Sequence, residues 1–128
     1  MNLQEAEKLM GVLANETRLR LLRTLAVVDK AVCVCELEDA LDLPQYSVSR
    51  HLQKLKESGL VESRREGTWA YYSLATELNP AKREVINWVG SYLDEEAVRK
   101  DRKEMKQRLS LRKDGKCVAG RGEESDCK

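Results

Sequence analysis

The chain has 128 residues, 41% of them hydrophobic and 35% charged. That suits one domain with a real core and excludes a chain disordered throughout or a fibrous one. Its net charge of +1 argues neither for nor against nucleic acid, and no stretch approaches the roughly 20 apolar residues of a membrane span. The start, MNLQEAEKLM, carries acids and lacks the basic head and apolar middle of a signal peptide, so a cytoplasmic protein with reduced thiols is expected.

Taken in chain order, Leu3, Ala6, Met10 and Leu13 recur at helical steps and predict a first helix over 2–14. Asn15 is a good N-cap for a second helix over 16–27, with Leu19, Leu22 and Leu25 on its inner side. A short β-prone piece at 31–34 leads into a third helix over 36–41. Asp42-Leu43-Pro44 makes a break. A fourth helix over 45–58 has Val48, Leu52 and Leu55 as its buried stripe and Gly59 as its C′ residue. Two strands, 60–65 and 68–74, surround Glu66-Gly67, where the glycine supplies a positive φ. Asn79-Pro80 opens a long last helix reaching about Leu109. Residues 1–110 are therefore read as one domain, and 111–128 as a flexible tail.

This order is that of a mainly α winged helix-turn-helix with a small β-hairpin. The stripes of the first and last helices exceed what one small core needs, so these two helices are expected to form the seam of a homodimer. The fourth helix carries Gln45, Ser47, Ser49, Arg50 and Lys54 away from its apolar stripe, which suits a major groove; His51 lies beside them, expected to contact a phosphate or to pack between helices, and Arg64 and Arg65 lie beside the hairpin turn. The segment 43–72 has five bases and three acids, and 99–116 has nine bases and three acids. A monomer offers few phosphate partners; a dimer doubles them.

Four cysteines stand at 33, 35, 117 and 127. Thiolates select soft ions. Residues two apart face the same way on a strand but are about 200° apart on a helix, so Cys33 and Cys35 chelate together only in extended or distorted backbone. Closing both sulfurs on one ion is then expected to unwind or tilt the start of the third helix, which braces the fourth. A soft ion that prefers three sulfurs takes the third from Cys117 or Cys127, of the same or the partner subunit. Alone, these two read more simply as surface thiols.

Several segments together resemble the ArsR/SmtB family of metal-sensing repressors: Leu13-Ala14-Asn15-Glu16-Thr17-Arg18-Leu19-Arg20, Val48-Ser49-Arg50-His51-Leu52, Glu57-Ser58-Gly59-Leu60-Val61, and Arg65-Glu66-Gly67 with Tyr71-Tyr72. Cys33-Val34-Cys35-Glu36-Leu37 is similar to the paired-cysteine motif of the arsenic-responsive members. The resemblance implies a dimeric winged helix on an inverted-repeat operator, released when arsenic(III) or antimony(III) binds. It implies no enzyme. Two features depart from the pattern: Glu38 stands where such members often place a third cysteine, and the last helix has no histidine for a zinc site. The alternatives are the same fold sensing cadmium, lead or zinc, or sensing thiol oxidation. A thiol-redox enzyme would want a Cys-x-x-Cys spacing and a βαβ pattern, and the chain has neither. A dimerisation module that uses the fold for protein contacts alone would show no salt-dependent duplex binding.

Overall fold

The computed structural model describes residues 1–118. Six helices and three short strands follow in the order α1 (Leu3–Leu13), α2 (Glu16–Val28), β1 (Val32–Cys33), α3 (Val34–Leu41), α4 (Gln45–Glu57), β2 (Val61–Glu66), β3 (Trp69–Leu74), α5 (Pro80–Tyr92) and α6 (Glu96–Leu109).

Local chemistry sets most boundaries. Asn2, Asn15 and Asn79 cap α1, α2 and α5, each side chain accepting the N–H three residues on at 2.8–3.0 Å. Gly59, at φ +81°, ends α4. The Leu60 N–H reaches the Leu55 carbonyl and the Gly59 N–H reaches that of Lys56, a Schellman ending. Gly67, at φ +64°, turns β2 into β3.

α2 lies at the centre. Leu21, Leu22 and Leu25 are fully covered and meet Leu37 from α3 and Leu52 and Leu55 from α4. α3 and α4 form the helix-turn-helix, joined through Asp42 in the left-handed region. The sheet has the order β1-β3-β2, antiparallel throughout, so β3 is central. β1 pairs Val32 with Tyr72 and Cys33 with Tyr71, tying the start of α3 to the wing.

The structure corrects two expectations. The last helix is not continuous: residues 93–95 break it, and α6 turns back onto α2 and α3. Arg23, 7% exposed, holds the corner by donating to the Leu93 carbonyl at 2.8 Å and the Val98 carbonyl at 3.0 Å. The inner face of α6 is Val98, Asp101, Met105 and Arg108, half of it charged, so hydropathy alone hides it. Asp101 is matched by a two-pronged bond from Arg20 at 2.8 and 2.9 Å, which raises the Arg20 pKa. The third helix also begins earlier than expected, at Val34, with Cys33 as its N-cap.

Candidate functional site

Two clusters stand out. The first is built at the N-terminus of α3. Cys33 is extended, at φ −94° and ψ 164°, and is the last residue of β1, while Cys35 is in the first turn of the helix. The junction of strand and helix resolves the 200° problem. One extended residue swings the first sulfur round, and the two Sγ atoms lie 3.4 Å apart without any unwinding of α3. The expected distortion is therefore not needed for the pair to meet.

The third sulfur comes from far along the chain. After α6, residues 110–118 run back as a strap across the start of α3. This is the beginning of the stretch expected as a tail, and it brings Cys117, 5% exposed, onto the pair. Cys117 Sγ is 3.3 Å from Cys35 Sγ, and Cys117 is joined to Cys33 as a disulfide. The three sulfurs lie within 4.8 Å of one another and all three residues are buried. Cys127, the other candidate for a third ligand, lies outside the described residues.

Two ion pairs hold the strap. Arg112 grips Glu36 with two bonds of 2.7 and 2.8 Å, and donates to the Ala31 carbonyl at 2.7 Å. Glu36 has no exposed surface and accepts the Cys33 N–H at 3.0 Å, the N3 half of a capping box. Its carboxylate raises the Arg112 pKa. Arg108 pairs with Asp39 at 2.8 Å and donates to the Val118 carbonyl at 2.9 Å, with Nη2 3.7 Å from Cys35 Sγ. The guanidinium and the N-terminus of α3 both place positive potential at the Cys35 sulfur. Tyr71 closes the site from β3, its hydroxyl accepting the Cys117 N–H at 2.9 Å. Sequence reasoning misses Arg108, Arg112 and Tyr71. The one signal that points toward them is an excess of arginine after residue 99.

The second cluster is the outer face of α4 and the wing. Arg50 and Lys54 are exposed, and Gln45, Ser47 and Ser49 are half-buried at the start of the helix. Tyr46, 72% exposed, stands among them and is a residue that sequence reasoning passes over. His51 does not share this outward aim. Its Nδ1 is 3.2 Å from Arg18 on α2, whose Nε also donates to the Val12 carbonyl at 2.6 Å. Burial, then the charges of Arg18 and Arg50, lower the His51 pKa. On β2, alternation separates the two wing arginines. Arg64 stands opposite Tyr71 and is paired with Glu66 at 2.8 Å, while Arg65 stands opposite Ala70 with its side chain exposed on the other face.

A family model described as a helix-turn-helix domain matches residues 13–64. The chain is 40% identical over 88 residues to the arsenical resistance operon repressor of Escherichia coli (strain K12), covering 69% of this chain and 68% of that one. It is 43% identical over 65 residues to a putative arsenical resistance operon repressor of Halobacterium salinarum, covering 51% of this chain and 55% of the relative. The match thus spans little more than half of that relative's length. Among solved structures, a transcriptional regulator HlyU from Vibrio vulnificus superposes with a TM-score of 0.59 at 32% identity, covering 71% of this chain and 90% of the regulator. No helix among the described residues is long and apolar enough to cross a membrane.

Proposed function

Because the chain belongs to the ArsR/SmtB family of winged-helix transcriptional regulators, we propose that it is a cytoplasmic repressor that binds an inverted-repeat operator as a homodimer and leaves it when arsenic(III) or antimony(III) takes Cys33, Cys35 and Cys117. The observation that carries this reading is the gathering of three buried sulfurs at the start of α3, the helix packed against the DNA-reading α4.

The donor set fits a soft trivalent metalloid. Three sulfurs supply what the two of the Cys-x-Cys pair lack, and Glu38 need not serve. The surrounding charge favours the same ion. Arg112 balances Glu36 and Arg108 balances Asp39, so the pocket is neutral before its thiols ionise. Three thiolates with a trivalent ion leave no net charge, whereas a divalent ion such as cadmium or lead leaves one buried negative charge, which is costly. Ion binding requires the Cys33–Cys117 pair to be reduced.

On the DNA side, Gln45, Ser47, Ser49, Arg50 and Lys54 supply the base and phosphate contacts from α4, with Arg65 at the wing. Tyr46 joins them on the strength of its exposure. His51 contributes by bracing α4 on Arg18. The dimer reading rests on exposed apolar side chains at both expected seams: Leu3 and Met10 on α1, and Trp88 and Tyr92 on α5, all more than half exposed. Because α6 folds back onto its own chain, α5 takes the role expected of the last helix.

The test is fluorescence anisotropy on the duplex upstream of the protein's own gene, with reduced protein and arsenite. The expected result is tight, salt-dependent binding that arsenite weakens. Cys33→Ser, Cys35→Ser and Cys117→Ser proteins should bind the duplex and ignore arsenite. A normal response from all three would refute the reading.

A further inference from the structure

Tyr71 meets the thiol site at Cys33, at Cys117 and at Arg112. Its backbone pairs with Cys33 across β1 and with Arg64 across β2. Its hydroxyl accepts the Cys117 N–H at 2.9 Å. The Arg112 guanidinium lies 5.7 Å over its ring. The residue is 4% exposed, and it floors a cleft of about 290 Å³ walled by Lys30, Arg64, Glu66, Arg112 and Gly115. Two of the three sulfurs, those of Cys33 and Cys117, are therefore anchored to one residue of the central wing strand. The remaining sulfur, that of Cys35, is carried by α3.

We infer that Tyr71 is a positioning residue through which the thiol site acts on the wing as well as on the reading helix. This rests on Cys33, Cys35 and Cys117 being the effector ligands. Sulfurs held by one ion must take up fixed separations. Cys35 is carried by α3, which is packed on α4, while Cys33 and Cys117 are tied both to α3, through Glu36 and the two strap ion pairs, and, through Tyr71, to β3, the strand that carries the hairpin. In the reduced protein the three sulfurs are not bonded to one another, and holding them at the separations one ion requires sets the placement of the wing relative to the reading helix. DNA binding needs both elements in register with one duplex, so a small change between them lowers affinity more than the same change in either alone. The tyrosine hydroxyl joins the Cys117 backbone to the sheet. Without it the third sulfur loses its hold on the wing, and a buried N–H loses its acceptor.

The test compares the parent with Tyr71→Phe, which keeps the ring and its stacking on Arg112 and removes only the hydroxyl. Duplex affinity is measured by anisotropy with and without arsenite, on reduced protein. Hydrogen exchange is followed by mass spectrometry over residues 61–74 and 45–57. In the parent, arsenite should weaken duplex binding and change exchange in 61–74 as well as in 45–57. Tyr71→Phe should bind the free duplex within about twofold of the parent, but its arsenite effect should be about ten-fold smaller, within the usual range of allosteric coupling. Its exchange over 61–74 should respond less than the parent's. A variant with the parent's full arsenite effect overturns the inference and leaves the repressor reading standing. A parent that binds the duplex and ignores arsenite overturns both. If the variant does not fold, the parent's exchange decides: an arsenite response confined to 45–57 refutes the wing route, and one that includes 61–74 upholds it.

Discussion

Arg112→Leu tests whether the strap is held as described. Glu36 has no exposed surface, and two of its bonds come from Arg112. Leucine leaves that carboxylate buried, with the Cys33 N–H still donating to it. Removing one partner of a buried pair costs about 3–5 kcal/mol. The Arg112 side chain keeps 15% of its surface exposed, so the lower end, about 3 kcal/mol, is expected. With a urea slope of about 1.5 kcal/mol per molar, the unfolding midpoint of the reduced protein should fall by about 2 M. The double variant Glu36→Gln/Arg112→Leu should recover more than half of the loss, because the amide is uncharged and its oxygen can still cap Cys33. Equilibrium urea unfolding followed by circular dichroism at pH 7.5 measures both, and the rate of Cys117 labelling by a thiol reagent reports release of the strap. A single-variant loss below about 1 kcal/mol, the value of an exposed pair, would mean that Glu36 is reached by water and that Arg112 is no latch.

Three further outcomes are expected. The folded pKa of His51 is lowered below its ordinary value, so the unfolded chain binds the proton more readily and stability rises with pH in that window. The parent should therefore lose more stability than His51→Gln as pH falls below the ordinary histidine value of about 6.5, and equal losses in urea titrations would refute the bracing role. Trp88→Glu should convert the dimer to monomer in sedimentation equilibrium; an unchanged mass would show that α5 is not the seam. Arg50→Ala and Arg65→Ala should each weaken duplex binding and reduce the slope of log affinity against log salt by about one for each phosphate no longer neutralised. A slope unchanged by Arg65→Ala would remove the wing tip from the DNA surface.

Most of the reading domain is legible because its signals are local. The Asn caps, Pro80, Gly59 and Gly67 act within a few residues of themselves, and Val48, Leu52 and Leu55 fall on the strict spacing of one buried stripe. α6 defeats the same method for a physical reason. Its inner face alternates Val98 and Met105 with Asp101 and Arg108, and the charged members are buried only because Arg20 and Asp39 wait for them. A scale that counts charge as exposure reads such a face as solvated. The break at residues 93–95 escapes for a similar cause: it is stabilised by Arg23, which is 70 residues away in sequence from the carbonyl it holds.

The thiol site is half visible in the sequence. A spacing of two residues marks Cys33 and Cys35, but nothing in the sequence ties Cys117, 82 residues beyond Cys35, to them. The tie is made by arginines. Arg108 and Arg112 are four apart, the first within α6 and the second just past it, and both reach acids on α3. Those acids, Glu36 and Asp39, are three apart on that helix, so two rungs fix the strap in both position and direction. A single pair would let the segment pivot, whereas two rungs leave Cys117 one course, across the N-terminus of α3 and under Tyr71. The basic run after Arg99 therefore includes a device for delivering a sulfur, and its charge belongs as much to the effector site as to solvent.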